Sequence, residues 1–119
     1  DADLAAIGLP QSRTATLRGV ARALLDGRVD FHPERPLAEF VARWQALPGI
    51  GPWTAQYIAM RALGAPDAFP ADDLVLRRAA ANGAAQPLTA KALTARAERW
   101  RPWRAYAVIQ LWQQASRRA

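Results

Sequence analysis

Cysteine is absent from this 119-residue sequence, and histidine occurs once, as His32. Without cysteine there can be no disulfide framework, no thiolate zinc site and no iron–sulfur cluster ligated by thiolates. One histidine also argues against a transition-metal site built from side chains. His32 precedes Pro33 and is expected to be an exposed turn residue. Any chemistry therefore has to come from carboxylates, hydroxyls, aromatic rings and the backbone.

Long apolar runs are also missing. No stretch approaches the roughly 20 apolar residues that a membrane span needs, and Asp1-Ala2-Asp3 lacks the basic start of a signal peptide. We therefore expect a soluble cytoplasmic protein that associates with DNA in the nucleoid and has no membrane partner. Hydrophobic residues make up 51% of the chain, which suffices for the core of one domain over residues 1–119.

Lysine is scarce, because 15 of the 16 basic residues are arginine and only Lys91 is lysine. With 10 acidic residues the formal net charge is +6 and the sequence pI is about 11.2. This balance suits a polyanionic partner, most simply nucleic acid. The alternative is that the arginines only solvate helix faces. Charge alone leaves both interpretations open.

Alternating strand patterns are absent too, and every periodic segment has helical spacing. We predict an all-α, compact bundle of about six to seven short helices. One helix ends before Gly27, a second follows Pro36, and a third begins at Pro52 and ends near Gly64. Asp72 or Asp73 caps a short helix that ends near Asn82, and Thr89 caps the next. The last helix is expected to begin at Pro102, run to about Ser116 and be well buried.

The turn Leu47-Pro48-Gly49-Ile50-Gly51 joins the second and third predicted helices. Gly49 and Gly51 can take positive φ and allow close backbone approach, while Ile50 can anchor the turn in the core. The helix that begins at Pro52 directs unpaired N–H groups and its positive dipole end toward the turn, which favours a phosphate. The alternative is an ordinary connection between two helices.

Three stretches carry a resemblance to a known family: residues 47–63 (LPGIGPWTAQYIAMRAL), 67–74 (DAFPADDL) and 98–112 (ERWRPWRAYAVIQLW). They resemble the 3-methyladenine DNA glycosylase II family of the helix-hairpin-helix superfamily. The resemblance covers most of the chain from about Leu9 onward and is looser before Trp44. It implies a helix-hairpin-helix fold, a monomer, and double-stranded DNA with alkylated bases as the partner.

The same resemblance implies a role for individual residues. Asp73 aligns with the catalytic aspartate and Asp72 with a preceding, structural acid. The base pocket would contain Trp53, Tyr57 and Trp112, and the DNA phosphate would bind at Gly49, Ile50, Gly51 and Thr54. No cofactor is implied beyond a monovalent cation held by the backbone carbonyls of Gln45, Leu47 and Ile50.

Asp73 also suits the chemistry of base removal. Breaking an N-glycosidic bond builds positive charge on the sugar, and a carboxylate near that carbon stabilises it and can orient water. An alkylated purine is already cationic and leaves readily, so one carboxylate can suffice. The alternative for Asp73 is a helix N-cap, and the Asp72–Asp73 pair can divide the two roles.

Trp53 determines the expected type of reaction. Relatives that also cut the strand, such as endonuclease III, have lysine at this hairpin position, where its amine forms a Schiff base. With Trp53 there, we expect a monofunctional enzyme that uses water and leaves an abasic site. The missing cysteines agree, because the endonuclease III branch holds an iron–sulfur cluster.

The aromatic residues divide into two groups. Trp53 and Tyr57 are four residues apart and share a helix face, where electron-rich rings would stack on a flipped, cationic base. The core is the expected place for Trp44, Trp100 and Trp103. Leu74 stands where the family often has tyrosine, which affects pocket shape. The default interpretation of Arg77, Arg78, Arg101 and Arg104 is a solvated face or an acidic partner, with phosphate contact as the alternative.

Two other functions compete with a glycosylase. A non-catalytic helix-hairpin-helix module would grip DNA without turnover, and a helical scaffold would bind protein instead. The family also has an N-terminal region that completes the pocket and supplies a wedge side chain. We do not find that region before Asp1, so we expect the chain to be the C-terminal part of a longer protein, with a pocket that is partly built.

Overall fold

The computed structural model describes residues 4–118, and within them the chain forms six α-helices and no β-strand. The helices are α1 Gln11–Leu25, α2 Leu37–Gln45, α3 Pro52–Ala62, α4 Leu74–Ala80, α5 Ala90–Ala97 and α6 Arg104–Arg118, and 3₁₀ turns cover Leu4–Ile7 and Glu98–Trp100. The all-α prediction is therefore confirmed. Over the described range, no helix combines the length and the apolar character required to cross a membrane.

Most helix ends lie where local sequence signals predict them. Gly27 follows α1 with φ +76°, a conformation that glycine adopts at little cost. Pro52 is the first residue of α3. The Thr89 hydroxyl caps α5 by accepting a hydrogen bond from the Ala92 N–H at 3.0 Å.

The last helix departs from the prediction in its start and in its burial. It begins at Arg104, because the backbone first closes a turn in which the Trp103 N–H donates to the Trp100 carbonyl at 2.8 Å. Of the α6 side chains, Arg104, Ala105 and Val108 are buried, whereas Tyr106 is 63% exposed. The expectation of a well-buried helix is wrong, because α6 packs mainly on α4 and its other faces stay open.

The core forms where α2 packs on α3 and α4 packs on α6. Phe40 and Trp44 of α2 are both buried, and their rings stack with centroids 5.7 Å apart. Trp100 is half-buried with its ring edge against Phe69. Trp103 is 57% exposed and lies outside the core, so the core prediction holds for Trp44, holds in part for Trp100 and is wrong for Trp103.

An ion pair closes the connection between α1 and α2. The Arg35 guanidinium donates to the Asp30 carboxylate at 2.7 Å and to Glu39 at 2.9 Å. The hydrogen bond from Arg35 lowers the pKa of the Asp30 carboxyl, and the His32 backbone N–H adds to the effect. The Asp30 carbonyl accepts from the Trp44 indole at 3.3 Å, so this connection is tied to the core. His32 is exposed, as expected.

The molecule is extended for its length. Its radius of gyration is 16.0 Å, whereas a compact domain of this size has about 13.5 Å. Apolar side chains remain exposed along one end, with Ile7 at 71%, Leu17 at 49% and Leu25 at 87% exposure. Part of the apolar surface of the N-terminal segment is therefore uncovered, although Ala23 of α1 belongs to the core.

Candidate active site around Asp73

Three aromatic rings form the wall of a cleft between α3 and α6. Trp53 and Tyr57, one turn apart on α3, stack nearly parallel, with centroids 5.2 Å apart and an interplanar angle of 7°. Trp112 of α6 stands across from Tyr57, with centroids 6.1 Å apart and planes inclined by 55°. The structure thus brings together the three aromatic residues proposed from sequence.

Asp73 reaches the same cleft from the start of α4. Its Oδ2 atom accepts the Leu76 backbone N–H at 3.3 Å, so Asp73 is the N-cap of α4. The same oxygen accepts the Trp112 indole N–H at 2.8 Å. Within residues 4–118 no donor is bound to Oδ1. The cap and the cleft are therefore not alternatives for Asp73: one oxygen fixes the carboxylate and leaves the other available.

Contacts from both sides hold the loop that delivers Asp73. From α3, the Gln56 side-chain oxygen accepts the Phe69 backbone N–H at 2.9 Å. From α6, the Ala105 N–H donates to the Pro66 carbonyl at 2.8 Å, and the buried Arg104 guanidinium pairs with Asp67 at 3.0 Å. The same helices that carry the aromatic rings thus position the carboxylate.

These contacts also decide the roles of several arginines. Arg104 and Arg101 pair with Asp67, and Arg77 donates to the Leu88 carbonyl at 2.7 Å. The acidic partner is confirmed for Arg101 and Arg104, whereas Arg77 has a backbone partner that the sequence did not predict. Sequence reasoning missed Gln56 and Asp67, because a polar residue at a helix face or in a loop carries no local sign of a distant partner.

The cleft encloses about 590 Å³ and opens to solvent. Its lining comprises Trp53, Tyr57, Arg61, Asp73, Val75, Trp112, Ala115 and Ser116. Arg61 is the member that sequence reasoning did not single out. Its guanidinium carbon lies 5.6 Å from the Tyr57 ring centroid and 5.7 Å from that of Trp112. Among the lining residues none is lysine, since Lys91 lies on α5 and lines another pocket.

Asp72 lies outside the cleft. It is exposed, lines a separate pocket of about 270 Å³ with Lys91, and makes no hydrogen bond or ion pair within the described part of the chain. The sequence did not decide which of the two acids caps α4, and the structure shows that it is Asp73. No contact supports the structural role expected of Asp72.

The hairpin makes different use of its two glycines. Gly49 has φ +85°, and a Cβ there would overlap the Thr16 side chain of α1. Gly51 has φ −89°, so the expectation of positive φ is wrong for Gly51, whose backbone is already extended to begin α3. Nothing lies within 4 Å of a Cβ placed on Gly51. Ile50 is buried and anchors the turn, as predicted.

Two other predicted groups lie in or beside this turn. Thr54 is half-buried in the first turn of α3. The Leu47 carbonyl accepts the Ile50 N–H at 3.1 Å, which closes the turn and leaves this oxygen a second lone pair. Arg13 of α1 lines the groove that Gly49 and Ile50 border, and sequence reasoning did not connect it with the hairpin.

Known proteins are similar in sequence to this chain. A Mycobacterium tuberculosis protein described as a probable bifunctional transcriptional activator/DNA repair enzyme AlkA is 43% identical over 106 residues, which are 89% of this chain and 21% of that protein. The Escherichia coli protein DNA-3-methyladenine glycosylase 2 is 34% identical over 109 residues, 92% of this chain and 37% of that protein. This chain is homologous to part of the 3-methyladenine DNA glycosylase II proteins. No protein-family model matches it.

A solved structure shows the same fold. Schizosaccharomyces pombe 3-methyladenine DNA glycosylase (Mag1), in complex with abasic DNA, superposes with a TM-score of 0.86 at 24% identity, over 92% of this chain and 56% of that one. The sequence relatives confirm the resemblance noted in the sequence, and the solved structure confirms the all-α fold. The chain spans about a fifth to two fifths of the length of the sequence relatives it matches.

Proposed function

We propose that this chain carries the catalytic cleft of a DNA glycosylase that hydrolyses the N-glycosidic bond of alkylated bases flipped from duplex DNA. The observation that carries the proposal is the fixed carboxylate of Asp73 in a cleft walled by Trp53, Tyr57 and Trp112. Stacked rings bind a flipped base by its face and favour an electron-deficient, alkylated one. Homology to proteins named as DNA-3-methyladenine glycosylases supports the same function.

Asp73 supplies the electrostatic part of the reaction. As the base departs, positive charge develops on the sugar, and a carboxylate that lines the cleft can stabilise that charge. Trp112 and the first turn of α4 bind Oδ2, so the carboxylate need not reorganise when the charge appears. The carboxylate can also orient the water that attacks the sugar carbon.

The reaction is proposed to end at an abasic site with both strands intact. Trp53 occupies the hairpin position at which strand-cutting relatives carry a lysine, and no lysine lines the cleft among the residues described. Without an amine, no Schiff base can form with the sugar. Water is then the nucleophile.

The hairpin is proposed to hold the DNA backbone through Gly49, Ile50, Gly51 and Thr54. Open space at Gly51 and the N-terminus of the 11-residue α3 helix support this part of the proposal. Carbonyl oxygens from Gln45, Leu47 and Ile50 are hard ligands of the kind that suits a monovalent cation beside the phosphate. Such a cation would add positive charge at the hairpin.

A base-release assay on duplex DNA treated with a methylating agent tests the proposal. We expect free methylated base in solution, strands that break only after heat or alkali, and no covalent adduct with borohydride. A glycosylase that uses a lysine serves as the positive control for trapping. A borohydride-trapped adduct would contradict the hydrolytic mechanism.

The second candidate is a non-catalytic DNA-binding module, favoured by the net charge of +6. Both candidates predict duplex binding that weakens with salt, by about 0.9 in log K per log unit of salt for each phosphate contacted. Salt-sensitive binding without any base release would favour the module. Base release with turnover would exclude it.

A further inference from the structure

Arg61 lies in the cleft where the faces of two aromatic rings attract a positive charge. It lies in the last turn of α3, one turn after Tyr57, and its guanidinium sits in the notch between Tyr57 and Trp112. Both separations are under the roughly 6 Å within which ring faces attract cations. Two electron-rich rings inclined by 55° thus hold one positive charge.

No acidic partner competes for Arg61 in the described range. No ion pair or hydrogen bond joins it to a carboxylate there, in contrast to Arg35, Arg101 and Arg104, which all have one. Its contacts are therefore the rings themselves. Such contacts are weak at an exposed site, so the side chain is held loosely enough to be displaced.

A second groove beside the cleft can accommodate the Arg61 side chain when it leaves the rings. Arg61 also lines this adjoining groove of about 210 Å³ at the C-terminal end of α3, together with Met60, Pro66 and Tyr106. A rotation about the side-chain torsions would move the guanidinium from the ring notch into this groove. Arginine carries a long apolar stem that can lie along such a surface while its charge stays in water.

We propose that Arg61 is a resident cation that competes with an incoming base: it fills the ring notch in the free protein and leaves it when a base enters. This inference rests on the proposed function, since it requires the cleft to receive a base. A base that carries its own positive charge replaces the ring contacts that Arg61 gives up, whereas an unmodified neutral base recovers only stacking. Because the ring contacts of Arg61 must be broken first, Arg61 lowers the affinity of the cleft for any base.

The nearby displaced charge has a second effect. An arginine in the adjoining groove repels a cationic base in the notch more than a neutral one. Removal of the guanidinium should therefore strengthen the binding of every base and strengthen the binding of a cationic base most. The shape of the cleft is not expected to change, because the rings and Asp73 are held by other contacts.

The test is an NMR titration of the chain with 7-methylguanosine, at a mildly acidic pH where its ring is cationic, and with neutral guanosine. Binding is followed at the indole N–H signals of Trp53 and Trp112 in the native protein and in Arg61→Gln. Arg22→Gln is the matched control, because Arg22 is also a basic residue in the last turn of a helix but lies on α1, outside the cleft lining.

We expect Arg61→Gln to lower the Kd for 7-methylguanosine by about two- to fivefold, to lower that for guanosine less, and Arg22→Gln to change neither. In the native protein the side-chain protons of Arg61 should lose their ring-current shift as 7-methylguanosine binds. Shifts at both indoles with an equal or higher Kd in Arg61→Gln would overturn this inference alone. No indole shift in any of the proteins would contradict both this inference and the proposed base cleft.

Discussion

A single oxygen of Asp73 carries both of its structural contacts. Oδ2 accepts from the backbone at the start of α4 and from Trp112, which is 39 residues away in sequence. Capping fixes where the carboxylate stands, and the indole fixes its rotation about the side-chain torsion. An aspartate that would otherwise be free to turn is thereby held with one edge toward the rings.

Trp112→Phe separates the indole hydrogen bond from the ring. Phenylalanine keeps an aromatic wall but cannot donate to Oδ2, and a hydrogen bond to a charged group contributes about 1.5–3 kcal/mol. We expect base release to slow by about 10- to 100-fold in kcat, with a smaller change in KM. Single-turnover kinetics measure this directly. Trp103→Phe, at an exposed tryptophan outside the cleft, is the control and should leave the rate unchanged.

Sequence reached Asp73 and the three cleft aromatics, because the family pattern in residues 47–74 and 98–112 places them residue by residue. It did not reach Arg61 or Gln56. In the sequence, Arg61 and Gln56 look like ordinary polar residues of a helix. Only the fold brings Trp112 to Arg61 and Phe69 to Gln56. Their partners lie on other elements, and no local spacing reports them.

At the scale of elements, the hairpin is a packing device as well as a candidate phosphate site. Thr16 of α1 fills the space in which a side chain on Gly49 would lie, so α1 depends on glycine there. At Gly51 the space is open and φ is −89°. The two glycines of the motif, which look equivalent in the sequence, therefore meet different demands.

Gly49→Ala and Gly51→Ala test this difference. Alanine at Gly49 must adopt φ +85° and displace Thr16, and we expect the free energy of unfolding to fall by about 2 kcal/mol or more. Gly51→Ala should stay within about 0.5 kcal/mol of the native protein. Urea unfolding measures both. Equal stability of the two variants would show that the Thr16 contact does not constrain the hairpin.

The ion pair before α2 predicts a dependence of stability on pH. The hydrogen bond from Arg35 holds the pKa of Asp30 below its unfolded value of about 3.9. The unfolded chain therefore binds the proton more readily, so this pair stabilises the fold above that value and loses its effect as pH falls through the folded pKa.

Asp30→Asn should accordingly be less stable than the native protein at neutral pH, and the two should converge below about pH 4. Unfolding followed by circular dichroism from neutral to acidic pH provides the measurement. Asp26→Asn is the control, because its pair with Arg28 is exposed on both sides and longer, at 3.3 Å. A gap between Asp30→Asn and the native protein that is independent of pH would contradict this assignment.

Capping and turn residues predicted where the helices begin and end, but they did not predict how deeply each helix is buried. Thr89, Pro52 and Gly27 act locally, and the helix ends that they predict are confirmed. The burial of α6 depends on how many neighbours pack on it, which its own apolar pattern does not state. Trp103 is exposed as well, and it lies in the turn before α6 rather than on a packed helix face.

At the scale of the whole molecule, the two main properties are the positive net charge and the extended shape. A net charge of +6 suits a duplex partner, and the radius of gyration of 16.0 Å exceeds the value of about 13.5 Å for a compact domain of this length. Composition gave the charge, but the extended shape could not be predicted from it, because hydrophobic content sets how much core is possible and not how the helices are arranged. The cleft has one wall on α3 and one on α6, and it is open to solvent.

The central claim is that the charge of Asp73 drives base release. Asp73→Asn retains the shape of the side chain and an oxygen that can accept from Trp112, but it removes the negative charge. Asp72→Asn makes the same chemical change one residue away, at an exposed acid outside the cleft. The two variants therefore form a matched pair.

The deciding measurement is the single-turnover rate of base release from methylated duplex DNA, with duplex binding measured alongside. We predict that Asp73→Asn slows release by about 10²- to 10³-fold without weakening binding, and that Asp72→Asn leaves the rate little changed. Release by Asp73→Asn at the native rate, or an equal loss in both variants, would contradict the account.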